Sequence, residues 1–261
     1  VTAFLSTGSK AAGFVLILRL TYGVVPDLAQ GWSHLLLVFA MATTLYGAFC
    51  ALAQRNVKRL MGYSSIANAG YILLGVAATN TTGASAVAFY LTSYVFTSLL
   101  VFAVVSVVTA ESDTDDISAF AGLGRRSPLL AASLTVGLVS LAGLPPLSGF
   151  FGKVWLFKSA ALRVAEDPWF LVAILVACLA VVLSLYYYFG IIRAMYWPRS
   201  EVEAAPLQAG APVTIALAAC IGAVLILGVF PGRMIGITRD AVAGLGPVAG
   251  APAVQAAQAG H

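Results

Sequence analysis

Acidic side chains are missing from every long apolar run of this sequence: all ten Asp and Glu residues fall in loops or in the tail. Charged residues of both signs make up only 9% of the chain, against roughly 25% in soluble globular proteins, which excludes a soluble globular domain. Histidine occurs twice, at His34 and His261, so no histidine pair is available for haem. Cys50, Cys178 and Cys220 lie singly inside apolar stretches, which excludes an iron–sulfur cluster and points to packing residues without disulfides. A Gly-rich phosphate loop is also missing, so neither a cofactor site nor a metal site is expected in this chain. The net charge of +4 is spread over the ends of apolar runs and not clustered, which argues against a nucleic-acid partner. The chain starts at Val1 without methionine and shows no signal peptide, and a piece whose upstream part is missing is expected.

What is present is apolar: 61% hydrophobic residues and a mean hydropathy of +0.96. The expected fold is all-α, a polytopic integral membrane protein with the lipid bilayer as its solvent. About seven spans can be counted, at roughly Thr2–Leu20, His34–Ala53, Met61–Thr79, Ala84–Thr109, a long broken run from Ser127 to Arg163, Pro168–Met195 and Pro212–Phe230. The acidic segment Glu111–Asp116 reads as a disordered loop, and 241–261 as a flexible Ala/Gly/Pro-rich tail.

The organising stretch is Ser127–Arg163. It is longer than the ~20 residues that cross a bilayer, and its middle reads Gly143-Leu144-Pro145-Pro146. Each proline removes an amide donor, leaving the carbonyls of Leu141 and Ala142 without helical partners. Two half-helices joined at membrane depth are expected, buried in protein or facing a wet cavity. A plain loop between two short spans is the alternative. Lys153 follows Pro146 by seven residues in apolar surroundings; a broken membrane helix with an ammonium beside the break is a transporter signature.

Lys10 is the second lysine inside a span, with Ser6 one turn earlier on the same face. Neither lysine has an acidic partner within the spans, and a lysine so buried can shed and regain its proton near neutral pH. The alternative is a static staple on the freed carbonyls. Tyr90, Tyr94, Thr97 and Ser98 form one polar face of the fourth span, suited either to a water file or to interhelical hydrogen bonds. Tyr186, Tyr187 and Tyr188 read as an interfacial aromatic cluster, and His34 as a boundary residue. The Asn80-Thr81-Thr82 sequon is discounted as a chance match. With Lys10, Lys153 and Lys158 left out as lying within spans, seven basic residues (Arg55, Lys58, Arg59, Arg125, Arg126, Arg193 and Arg199) fall on the side after the second span and four (Arg19, Arg163, Arg233 and Arg239) on the other, favouring the first side as cytoplasmic.

Three motifs carry a family resemblance. Gln54–Tyr71, QRNVKRLMGYSSIANAGY, closely resembles the junction of helices nine and ten in the subunit N family of respiratory complex I, NADH–quinone oxidoreductase. Ala142–Lys153, AGLPPLSGFFGK, resembles that family's broken helix twelve, and Ser6–Lys10, STGSK, its helix eight. The resemblance runs from residue 1 to about 231. It implies that the seven spans are equivalent to helices eight to fourteen of the family. Residues 1–20 would be the last helix of a truncated first repeat, 32–197 a complete five-helix second repeat, and 211–240 the final helix with a short exit. Lys10 and Lys153 match the family's relay lysines, whereas Asn68 stands where many members have a histidine.

The function so implied is proton translocation through a lysine and water relay, coupled to quinone reduction elsewhere in the complex. NADH, flavin, iron–sulfur clusters and quinone are implied in partner subunits, among other membrane subunits of complex I. The expected setting is multi-pass, in the bacterial inner membrane. A cation/proton antiporter component, a membrane-bound hydrogenase subunit and a non-pumping structural subunit are the alternatives. A seven-helix retinal protein would need a carboxylate beside Lys10 or Lys153, and the spans supply none.

Overall fold

The computed structural model describes residues 2–21, 26–197, 206–207 and 209–243, with side chains described from residue 7 in the first segment and residue 31 in the second. Ten α-helices follow in order among the described residues: α1 Thr2–Arg19, α2 Pro26–Leu52, α3 Val57–Ala77, α4 Thr81–Ser112, α5 Leu123–Arg126, α6 Pro128–Ala142, α7 Ser148–Ala161, α8 Trp169–Tyr196, α9 Ala211–Val229 and α10 Pro231–Ala243. A short 3-10 turn, Ile117–Phe120, precedes α5. Five helices (α2, α3, α4, α8 and α9) are long and apolar enough to cross a membrane. The 15 residues of α6 and 14 of α7 give about 22 and 21 Å of rise, so neither half alone crosses ~30 Å of hydrocarbon. The protein is an all-α, multi-pass integral membrane protein.

Local chemistry sets the helix ends. Asn56 Oδ1 accepts from the Arg59 N–H at 2.9 Å and starts α3 several residues before the expected Met61. Asn80 does the same for α4, accepting from Gly83 N–H at 2.7 Å while its Nδ2 donates to the Ser159 carbonyl at 3.0 Å. Both ends of the sequon asparagine are thus engaged. Pro128 opens α6 at a position where its missing N–H costs nothing, and Gly143 closes it at φ +85°, a backbone state that favours glycine.

α4 lies at the centre, against α1, α3, α6, α7, α9 and α10, while α2 packs on α3 and α8. Small residues let α2 and α3 meet backbone to backbone. A Cβ on Gly70 would stand 2.9 Å from the Ala40 carbonyl oxygen, and one on Gly47 2.7 Å from that of Tyr63. One core holds Leu100, Val104, Phe120, Leu123 and Met195; the other holds Phe14, Leu37, Ile72, Leu156 and Phe170. Large side chains left outside these cores, such as Leu175, Val182 and Ile226, form the lipid-facing surface.

The loops gather at two ends. At one end the backbones of Asn56 and Asp116 pair: Val57 N–H donates to the Asp115 carbonyl at 2.7 Å and Ile117 N–H to that of Arg55 at 2.9 Å. Lys58–Asp115 and Arg126–Glu111, both 2.7 Å, reinforce that pairing. The Ser118 backbone N–H donates to Asp116 Oδ1 at 2.8 Å and holds its carboxyl below the ordinary carboxylate value. At the other end Ser33 Oγ donates to the Ala77 carbonyl at 2.7 Å and His34 pairs with Asp167 at 3.0 Å.

Three expectations are corrected. Glu111–Asp116 is not disordered: α4 runs through Glu111, and the rest is tied down by the pairing just described. The tyrosine triplet is not one interfacial cluster, because only Tyr186 is outside at 74% exposure, whereas Tyr187 and Tyr188 are buried. Residues 231–243, expected as a short exit and the start of the tail, are the amphipathic α10, packed on α4 and α9. The remainder of the tail, 244–261, and Arg199 lie outside the described residues.

The two half-helices touch at Gly149, where a Cβ would collide with the Ser140 carbonyl. We expect Gly149→Val to force them apart and to lower stability by about 1–3 kcal/mol. Thermal unfolding of the purified full-length protein checks this.

Candidate functional site

The break spans Gly143 to Leu147, with a cis peptide between Pro145 and Pro146. Gly143 N–H donates back to the carbonyls of Val139 and Ser140 at 3.1 and 3.0 Å, and Leu144 N–H to Val139 at 3.2 Å. The Leu141 and Ala142 carbonyls, freed by the prolines, accept instead from Lys153 Nζ at 2.8 and 3.1 Å. Those carbonyls sit at the negative end of the α6 dipole, which favours a cation. Lys153 is 4% exposed, and its ammonium lies 4.8 Å from the centre of the Tyr71 ring. None of the ion pairs among the described residues involves it.

α4 pins both halves of the break. Ser93 Oγ donates to Ser148 Oγ at 2.6 Å, at the start of α7. Thr97 Oγ1 lies 3.3 Å from Ser140 Oγ, near the end of α6, and donates to the Ser93 carbonyl at 2.8 Å. Thr97 therefore binds helix to helix. Tyr90 and Tyr94 stack with centroids 6.4 Å apart. Tyr90 donates to Asn68 Oδ1 at 2.6 Å, and the Tyr94 hydroxyl interacts with Ser65 and Ser98. Lys10, half-buried on α1, donates to Ser65 Oγ, which itself donates to the Gly62 carbonyl at 2.8 Å. A run of side chains thus leads from Lys10 through Ser65, Tyr94 and Tyr90 to Gly152, on which the Tyr90 ring rests beside Lys153. The Ser6 side chain lies outside the described residues.

Several partners here were not among the candidates read from the sequence. Asn68 Nδ2 donates to the Ser64 carbonyl at 2.9 Å, and Ser64 shares a hydrogen bond with the Tyr188 hydroxyl. Tyr71 closes over Lys153. Ser64, Asn68 and Tyr71 recur at i, i+4 and i+7, so helical spacing along the third span was the available signal. Tyr188 carried no such signal, since α8 is apolar on nearly all sides. No group of three or more His, Cys, Asp or Glu residues that could hold a metal occurs among the described residues.

A helix broken at mid-run, its freed carbonyls taken by a buried lysine, is the pattern of a transporter-like membrane protein. The chain belongs to the NADH:quinone oxidoreductase/Mrp antiporter transmembrane family, whose profile matches residues 1–184. It is 46% identical over 216 residues to NADH-quinone oxidoreductase subunit N 2 of Sorangium cellulosum, an alignment covering 80% of this chain and 42% of that one. Among solved structures, a chain of respiratory complex I from Thermus thermophilus shares 36% identity at TM-score 0.66, covering 78% of this chain and 45% of that one. A chain of the membrane-bound sulfane sulfur reductase, an archaeal respiratory membrane complex, shares 27% identity at TM-score 0.75, with 84% and 43% covered. The chain spans about half the length of the curated relatives it matches.

Thr97→Val keeps the shape of the side chain and removes its hydroxyl. We expect a loss of about 1 kcal/mol in stability with transport unchanged. Unfolding and proton flux are measured on the same preparation; lost flux at full stability would put Thr97 in the proton path.

Proposed function

We propose that this chain is the C-terminal half of a proton-translocating, antiporter-like subunit N of NADH–quinone oxidoreductase in a bacterial inner membrane. Residues 32–197 form its second five-helix repeat and 1–20 the last helix of its first. Protons move near the bilayer midplane between Lys10 and Lys153, with Tyr90, Tyr94 and Ser98 providing hydroxyls for water between them. Flavin, iron–sulfur clusters, NADH and quinone belong to partner subunits, whose redox chemistry supplies the ~2.3 kcal/mol needed per charge moved against 100 mV. The end that carries Arg55, Lys58 and Arg59 faces the cytoplasm in this reading.

The observation that supports it most is Lys153. Among the described residues, Lys153 is 4% exposed, meets no carboxylate and is held by two backbone carbonyls and a ring face, a cation set apart from every ion pair. Asn68 does not titrate near neutral pH, so the route around it runs through hydroxyls and water. The likeness to the sulfane sulfur reductase chain favours one second reading, an equivalent subunit of another respiratory membrane complex. Co-purification with flavin and iron–sulfur subunits that oxidise NADH separates the two.

Lys153→Met retains the stem of the side chain and cannot titrate. In the full-length subunit within its assembled complex it should abolish or sharply lower proton pumping. Lys153→Arg should impair pumping as well, because a guanidinium stays protonated at any accessible pH. A static staple predicts the opposite, since arginine offers more donors to Leu141 and Ala142. Proton translocation is followed alongside quinone turnover, with assembly checked by native gel. Normal pumping in the assembled Arg variant would remove Lys153 from the relay.

A further inference from the structure

We infer that Tyr71 is a positioning residue for Lys153, its ring face closing the third side of an ammonium cage whose other two sides are the Leu141 and Ala142 carbonyls. The inference rests on the relay reading above and deepens it.

The cage is fully specified by short contacts. The two carbonyls take two N–H groups of the ammonium at 2.8 and 3.1 Å, and the ring centre lies 4.8 Å from Nζ. The ring is fixed in place: Tyr71 is 1% exposed and meets Phe157 edge to face, with centroids 6.2 Å apart and planes at 69°. Its hydroxyl, although buried, makes no hydrogen bond to the protein. Packing therefore holds the ring, and the engaged part of Tyr71 is the face.

The surroundings explain why a ring is used. α7 packs against α3, α4, α6, α8 and α9. α6 carries no titratable residue, and α9 only Cys220. α4 presents Tyr90, whose ring rests on Gly152; the buried tyrosines of α8 are Tyr187 and Tyr188. Carboxylates are absent from all these faces within the described residues; Glu111 is at the far end of α4, paired with Arg126. A carboxylate at this distance in a low dielectric would hold the proton too tightly for exchange. A ring quadrupole attracts the ammonium more weakly, by an amount comparable with about a tenfold change in proton affinity at a desolvated site. The face steadies the charged form while leaving the proton free to go.

The test uses the full-length subunit in its assembled complex and follows pumping against pH. Tyr71→Phe, which keeps the face and drops the hydroxyl, should match the parent. Tyr71→Leu removes the face and should move the alkaline limb of pumping about one pH unit lower, because the ammonium loses a stabilising partner. Phenylalanines of increasing ring fluorination at position 71 hold size nearly constant while draining the face of negative potential. They should move the limb stepwise even if the leucine variant fails to assemble. An unchanged profile across that series would overturn the inference, as would a Tyr71→Phe variant as defective as Tyr71→Leu. Lys153→Met run in parallel keeps the outcomes apart: if it pumps normally the relay reading fails, and if it is dead while the fluorinated series is flat only the role of Tyr71 fails.

Discussion

Two backbone carbonyls without helical partners, inside an apolar environment, are the constraint on which this structure turns. An unsatisfied polar group in hydrocarbon costs several kcal/mol. Pro145 and Pro146 create two such groups, at Leu141 and Ala142, and among the described residues Lys153 is the one that reaches them. The lysine in turn is tolerable because the carbonyls and the Tyr71 face replace its hydration. Break and lysine thus stabilise each other, and neither is explicable without the other. The rest of the fold encloses the pair: Leu147 and Ser148 are buried at the start of α7, and Ser93 and Thr97 of α4 hold the two halves in register.

Much of this was legible in the sequence. Proline chemistry alone named Leu141 and Ala142 as the orphaned acceptors, and the apolar surroundings of Lys153 marked it as the odd cation. The runs of apolar residues located most span ends to within a few positions, because length against bilayer thickness is a coarse ruler, though α2 begins at Pro26, eight residues before the expected His34. Helix starts were placed late where a polar residue caps the first turn: Asn56 and Asn80 read as loop residues yet begin α3 and α4. Long-range partners were not legible. Tyr188 looked interfacial because two neighbouring tyrosines follow the same pattern, but successive residues on a helix point 100° apart, so Tyr186 faces out while Tyr188 reaches Ser64. The acidic segment Glu111–Asp116 looked disordered because its order comes from Arg55, Lys58 and Arg126, distant in sequence.

The hydroxyls of α4 divide by partner helix and by task. Ser93 and Thr97 spend their hydrogen bonds on α7 and α6, and act as joinery. Tyr90 and Tyr94 point toward α3, where Asn68 and Ser65 receive them. A polar stripe in a membrane span therefore does not declare its use by spacing alone.

α4 has 32 residues, about 48 Å of helix, for a hydrocarbon layer of about 30 Å. It must tilt, or carry its last turns and Glu111 into the headgroup region, where Arg126 meets that carboxylate. A thinner bilayer would increase the tilt and a thicker one would draw the helix upright. Because Ser93 and Thr97 tie α4 to both halves of the break, such a change of tilt would act as a lever on α6 and α7. Lipid chain length would thereby bear on the geometry around Lys153, through one oversized helix.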